Sequence, residues 1–264
     1  MTQMTQYDNI LLACEETARH EGSHFLPEHL FGYILDGSLQ IEGEGRKTIY
    51  EAGSCGVFRR NQLGRFMKHP PAGGSFRSVT IVLDEPLLRA FSQEYQTAAA
   101  GSYTGAAILE LTDPLLDTWF RSFVPYFDPS NQLSAALVSL KLKEAIHLLL
   151  HVHPPLKDML FDFRQPGKLD LEAFMVQNYM HNVPISRLAM LTGRSLTMFK
   201  EDFNRVFGTS PGRWLQQRRL SEAMVLIKEK GQRASDIYLD LGFEDLSHFS
   251  FAFKKQFGVP PSLV

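Results

Sequence analysis

Thr197, Lys200, Glu201 and Asn204 fall at the three- and four-residue spacings that put side chains on one face of a helix. About fifty positions on, Ser247, His248, Phe251 and Lys255 do the same. Short hydroxyl, amide and carboxylate groups reach base edges in a groove, and ammonium groups neutralise phosphates. Ser195 stands at the start of the first set, Arg205 and Lys254 lie on the same two stretches, and Arg218 lies between them. As chemistry these twelve residues point to DNA recognition, and none is read as catalytic. A merely solvated helix face is the competing account. What weighs against it is the repeated scaffold beneath.

That scaffold is two stretches spelled from one template. Phe199, Phe203, Phe207, Gly208 and Pro211 recur fifty positions later as Phe249, Phe253, Phe257, Gly258 and Pro261. Each Phe triplet at i, i+4, i+8 marks the buried stripe of a helix, followed by the Gly that stops it and a Pro that cannot extend it. Upstream, Leu188-Ala189 with Gly193 corresponds to Ile237-Tyr238 with Gly242. Short helix, Gly turn, Phe-striped helix is the pattern of a helix-turn-helix unit. The units are expected at about 185–208 and 235–258. Ile185 to Leu191 is the first positioning helix, and Ser195 caps the helix Leu196 to Phe207. Ser235 or Asp236 is expected to open the second positioning helix, and Asp245 takes the cap position of Ser195. Pro211 begins a connecting helix to about Glu229, roughly 25 Å long. That length suits recognition helices set near the ~34 Å repeat of the major groove.

The net charge of −2 hides an asymmetry. From Lys168 onward there are 13 Lys/Arg and 10 Asp/Glu, against 14 and 19 before it. The sign favours nucleic-acid contact by the C-terminal part. The excess is small, so placement and dimerisation must supply affinity. The polar start lacks a signal-peptide pattern, and no apolar run reaches membrane-spanning length, so a cytoplasmic protein is expected. Cys14 and Cys55 stand alone, which suits idle thiols in a reducing compartment.

A chain of 264 residues suits two domains, and Phe163 to Lys168, with its Pro-Gly, is the expected linker. The expected domains are 1–163 and 168–264. Strands are expected between about His29 and Leu83, with a hairpin turning at Asp36-Gly37, a second turn at Gly43-Glu44-Gly45, and a strand through Phe76, Val79, Ile81 and Leu83. Such spacing suggests a small barrel or sandwich. After Pro86 helices follow. Thr97 to Gly105 is expected to be a surface loop. Leu133 to Val152 is expected to carry an apolar face through Leu137, Leu140, Ala145 and Leu148, either packed on its own domain or used for dimerisation.

At these residues the chain resembles the AraC/XylS transcription regulators. The matching text is Ile185-Ser186-Arg187-Leu188-Ala189, Gly193-Arg194-Ser195, Phe207-Gly208-Thr209-Ser210-Pro211, Arg218-Arg219-Leu220-Ser221-Glu222-Ala223, Leu241 to Phe249, and Phe253 to Pro261. The resemblance covers essentially all of 168–264. It implies two helix-turn-helix units on a shared connecting helix, promoter DNA and RNA polymerase as partners, transcriptional activation, and dimerisation through the N-terminal domain. Three departures stand out. Glu201 and Phe251 occupy positions where the family often has Arg, and Tyr238 stands where it usually has Ala. Glu201 can accept from cytosine N4 and Phe251 can press on a thymine methyl, or either can face solvent or a neighbouring protein.

The phrase His29 to Leu39 is similar, more loosely, to the cupin-like sensor domains that precede this module. The fold class implied is α+β: a cupin-like small β-barrel with flanking helices, then an all-α domain with two helix-turn-helix units. A catalytic cupin needs a fuller ligand set than His24, Glu28, His29 and His69, so no metal or other cofactor is expected. The function expected is a sequence-specific regulator controlled by a small effector or a protein partner. Alternatives are a regulator switched only by a protein antagonist, a metal enzyme fused to a DNA module, and a repair methyltransferase fused to one. The last needs a reactive Cys cluster, which Cys14 and Cys55 do not form.

Overall fold

The computed structural model describes residues 2–17, 19–43, 46–164 and 167–264, with the side chains of 2, 3, 19–24, 43 and 46 outside the described set. Among the described residues nine strands come first, β1 Thr2–Tyr7, β2 Ile10–Glu15, β3 Arg19–Leu26, β4 His29–Asp36, β5 Ser38–Gly43, β6 Arg46–Glu51, β7 Cys55–Phe58, β8 Gln62–His69 and β9 Phe76–Leu83, and a tenth, β10 Ile108–Leu111, follows the first helix. They form a six-stranded sheet in the order β1-β2-β9-β4-β7-β10 and a four-stranded sheet in the order β3-β8-β5-β6.

The larger sheet is two-faced because its strands alternate. Ile10 and Leu12 on β2, Phe31 and Tyr33 on β4, and Val79, Ile81 and Leu83 on β9 are buried against a helical layer. That layer is α1 Glu85–Tyr95, α2 Pro114–Arg121, α3 Ala135–Val152 and α4 Leu156–Leu160. Asp84, Asp113 and Ser134 cap the first three, each accepting from a backbone N–H of the first turn. The opposite face of the sheet looks toward the smaller sheet.

Several expectations need correction. Three strands precede His29, and β10 interrupts the helical stretch after Pro86. Asp36-Gly37 is not a hairpin turn. β4 pairs with β7 and β9 whereas β5 pairs with β6 and β8, so the dipeptide carries the chain from one sheet to the other. Gly37 has φ +84°, and a Cβ there would sit 2.4 Å from the His69 carbonyl oxygen. β5 and β6 are the hairpin, with Gly43 opposite Arg46; Glu44 and Gly45 lie outside the described residues. On α3 the expected single apolar face is split. Val138, Leu142, Ala145, Ile146 and Leu149 are buried, Leu148 is half-buried on the same core, and Leu140 is 63% exposed. The helical arc is wide enough to have two apolar sides.

The C-terminal part is all helical: α5 Leu171–Asn178, α6 Ile185–Leu191, α7 Leu196–Phe207, α8 Pro211–Lys230, α9 Ala234–Ile237 and α10 Leu246–Phe257. Of the expected linker, Gln165 and Pro166 lie outside the described residues. Two small cores share α8. Leu215 joins Phe199, Phe203 and Leu188 in one, while Leu220, Ala223 and Ile227 join Phe249, Phe253 and Ile237 in the other. The four Phe side chains are fully buried, and each contributes about 1.5–3 kcal/mol relative to exposure. Gly208 and Gly258 end α7 and α10 in the left-handed conformation, as the spelling predicts. α9 departs from expectation: it has four residues and begins after Arg233, not at Ser235 or Asp236.

Candidate nucleic-acid interface

Helical geometry decides which side chains α7 and α10 offer outward. With Phe199 and Phe203 buried, Glu201 sits at the centre of the opposite face, flanked by Thr197, Asn204 and Met198, with Lys200 at its edge. On α10 the corresponding centre is Phe251, 69% exposed, flanked by Ser247, His248, Lys254 and Lys255. Glu201 and Phe251, two of the three departures from the family pattern, therefore hold the same central place in each unit. All twelve sequence-picked residues are exposed.

They do not all belong to those two faces. Ser195 is the cap of α7, accepting from Met198 N at 3.2 Å, and Asp245 does the same for His248 N at 2.6 Å on α10. Arg205, at the position that Lys255 holds on α10, turns from the first face to pair with Asp202 on the flank of α7, where Arg194 Nε also meets that carboxylate at 2.9 Å and Lys168 Nζ at 3.4 Å. These cations, the Arg194 hydrogen bond foremost, hold the Asp202 carboxyl below its ordinary range. Arg218 lies on α8, not on α7 or α10, with its guanidinium 5.0 Å from the Tyr179 ring centre. Met198 is an exposed apolar member of the first face that its residue type alone did not recommend.

The two units are tied together by Arg219, which reaches from the middle of α8. It donates through Nε to Tyr179 O at 2.7 Å, through Nη1 to Gly242 O at 2.9 Å and through Nη2 to His181 O at 2.9 Å. Burial, and Arg65 nearby, lower its pKa to about 10. Gly242 has to be glycine here: φ is +78° and a Cβ would stand 2.5 Å from Met180 O. His181 is half-buried beside both arginines, and desolvation first, then their charge, lowers its pKa to about 4.

The sheet-rich domain reaches into the same place. Arg65 on β8 donates to Met180 O at 3.3 Å and to Asp240 O, and its Nη1 lies 3.5 Å from Asp240 Oδ1. Leu63, on the same side of β8, packs on the first helical core, and Arg187 of α6 lies 5.0 Å from the Phe25 ring of β3. Phe66 and Lys68 alternate with these residues and face the other way, into a cavity of about 350 Å³ between the two sheets. One strand thus borders both the cavity and the helical domain. Sequence spacing carries no trace of this, because Arg65 and Asp240 lie 175 positions apart.

His29 opens β4, buried, with Nδ1 accepting from Arg60 N at 3.1 Å; burial lowers its pKa to about 3. Its Nε2 is buried without a hydrogen-bond partner. Among the described residues no three His, Cys, Asp or Glu side chains converge on a metal position, and the His24 side chain lies outside them. Cys55 is buried, which pushes its thiol pKa up, and Cys14 is half-buried; neither is bonded to another cysteine. No helix among the described residues is long and apolar enough to cross a membrane.

Comparison with known proteins adds to this geometry. Residues 188–264 match a helix-turn-helix domain model and residues 29–158 match the ExsA N-terminal regulatory domain model. The chain is 31% identical over 137 residues to the HTH-type transcriptional regulator ExsA of Pseudomonas aeruginosa, covering 44% of this chain and 49% of that one. It is 36% identical over 92 residues to the virulence regulon transcriptional activator VirF of Yersinia enterocolitica, covering 35% and 34%. The matches thus span half or less of these relatives. Over a longer stretch it is 26% identical to the transcriptional activator NphR of a Rhodococcus species, covering 89% and 69%. A crystal structure of apo ToxT from Vibrio cholerae aligns over 97% of both chains, with 14% identity and a TM-score of 0.48.

Proposed function

We propose that this chain, which belongs to the AraC/XylS family of helix-turn-helix regulators, binds promoter DNA sequence-specifically and controls transcription, as an activator, from its sheet-rich domain. The observation that carries the proposal is the repeated unit: two capped, Phe-anchored helices, α7 and α10, each with an exposed polar or aromatic outer face, on one connecting helix of twenty residues. At 1.5 Å per residue α8 is about 30 Å long, which suits two helices addressing successive turns of one groove. Thr197, Lys200, Glu201 and Asn204 read one segment, and Ser247, His248, Phe251 and Lys255 the other. Ser195, Lys254 and the flanking Arg205 and Arg218 serve backbone positioning.

Residues 1–163 form the regulatory domain and 168–264 the DNA-binding domain. The regulatory domain takes a small effector or a protein partner, and a homodimer supplies avidity that a net excess of three positive charges does not. Leu137 and Leu140, exposed on α3 and outside the buried core, are the surface we assign to that dimer. RNA polymerase is the partner an activator requires. No step of chemistry is assigned to the chain.

The test is selection of genomic fragments by the purified full-length chain, followed by sequencing. A recurring bipartite motif with elements one helical turn apart is the expected result. Retention of fragments without any shared motif refutes the proposal. Affinity should fall steeply with salt, since phosphate neutralisation supplies much of it.

A further inference from the structure

The cavity between the sheets exists because of a patch of small side chains. On the inner face of the larger sheet, Ala13 pairs with Ser78, and Gly32 pairs with both Thr80 and Gly56. Neighbouring positions across four strands thus carry little volume, where two sheets packed at about 10 Å need interdigitating side chains. Gly32, Ser78 and Thr80 remain only half-buried although they lie on central strands. A Cβ built on Gly32 has nothing nearer than 3.9 Å. Aromatic rings line this depression, Phe58 on the same sheet and Phe25, Tyr50 and Phe66 on the smaller one among them.

One end of the cavity is polar. Glu15 closes β2 there with its side chain 4% exposed, and its Oε1 accepts from Lys68 Nζ at 2.8 Å. Its Oε2 is buried with no hydrogen-bond partner, and Glu15 lines the cavity. A buried carboxylate oxygen left without a donor is costly, and the group that would satisfy it is an N–H or O–H arriving from the cavity.

We propose that the cavity is a binding site for an uncharged, largely aromatic molecule whose single hydroxyl or N–H group donates to Glu15 Oε2. An apolar cavity of about 150 Å³ takes one benzene, so about 350 Å³ accommodates a ring with a substituent of similar bulk. Charge selects against acids and amines. Lys68 already meets Glu15 Oε1, so a ligand carboxylate or ammonium brings a further charge into a largely apolar cavity. A carboxylate also leaves Oε2 without its donor. This assignment deepens the effector role proposed above and rests on it for its regulatory meaning.

The experiment is calorimetric titration of the full chain, without DNA, using three probes of one shape: 4-butylphenol, butylbenzene and 4-butylbenzoate. The phenol should bind about tenfold more tightly than butylbenzene, the worth of one hydrogen bond made to a waiting acceptor, and the benzoate most weakly. Gly32→Leu, which fills the cavity from a position with room for a side chain, should weaken the phenol at least tenfold. The ligand series stands by itself if that variant folds poorly. Benzoate binding as tightly as the phenol, no advantage of phenol over butylbenzene, undiminished binding by folded Gly32→Leu, or no binding of the phenol up to millimolar concentration would each overturn the proposal. None of these results bears on genomic fragment selection, so failure of the ligand site and failure of DNA recognition are told apart.

Discussion

Arg219 offers a quantitative test of how the two helix-turn-helix units are held together. Its three hydrogen bonds end on carbonyls of Tyr179, His181 and Gly242, two segments far apart in sequence, with distances of 2.7–2.9 Å. With its pKa lowered only to about 10, the guanidinium stays charged at neutral pH. Hydrogen bonds to a charged group are worth about 1.5–3 kcal/mol each, and truncation leaves the acceptors unpaired. Water entering the half-buried site offsets part of this, so Arg219→Ala should cost about 3–5 kcal/mol. Arg219→Lys should cost about 1–3 kcal/mol, because a point ammonium cannot span three carbonyls that a planar fork reaches together. The chain has two tryptophans, Trp119 on α2 and Trp214 on α8. In a Trp119→Phe background Trp214 fluorescence therefore reports the helical domain alone during urea unfolding. A loss of 4 kcal/mol at a slope of about 2 kcal/mol/M moves the midpoint by roughly 2 M. An alanine variant within 1 kcal/mol of the parent, or a lysine variant as stable as arginine, refutes the structural role.

Three further outcomes are expected. Lys200→Ala and His248→Ala should each relax sequence preference at positions one helical turn apart, by roughly 1–3 kcal/mol at the affected base pair; unchanged selected motifs would show the register of both helices to be wrong. Leu140→Glu should give a folded monomer that binds its operator weakly, whereas Leu148→Glu, half-buried on the core, should destabilise the domain; light scattering with circular dichroism separates the two, and a wild type monomeric at micromolar concentration with and without DNA removes the dimer. For His29 and His181, with folded pKa values of about 3 and 4 against about 6.5 unfolded, the unfolded chain binds the extra protons. Stability should then hold above pH 6.5 and fall as pH drops toward 4, by up to about 1.4 kcal/mol per pH unit for each histidine; urea midpoints at pH 7 and pH 5 that coincide would contradict this.

What could be read from the sequence was what local periodicity encodes. The boundaries of α6 and α7 fall where the Phe stripes, Ser195 and Gly208 place them, and β9 follows its alternation. β1 and β3 escaped because Thr2–Tyr7 and Arg19–Leu26 are largely polar, without a clean apolar face. Asp36-Gly37 misled because a positive-φ glycine serves a hairpin and an inter-sheet corner equally, and only the strand partners decide. The exposure of Leu140 beside buried Ala145 depends on which arc of α3 meets the sheet. The cavity was illegible for a related reason. Ala13, Gly32, Gly56 and Ser78 are scattered through the sequence and become one depression only when the register is known.

The arginine joint has a consequence for how freely the helical domain can change. Arg65 and Arg219 end on the main-chain oxygens of residues 179, 180, 181, 240 and 242. Every residue type supplies a carbonyl, so these acceptors survive almost any exchange of the side chains at 179 to 181. Gly242 is the exception, because its backbone approach leaves no room for a Cβ. A graft of a foreign helix-turn-helix pair onto this sheet domain therefore needs to reproduce a backbone course, one glycine and the arginine on its connecting helix. The outward residues of α7 and α10 in such a chimera can be rewritten without disturbing the seam.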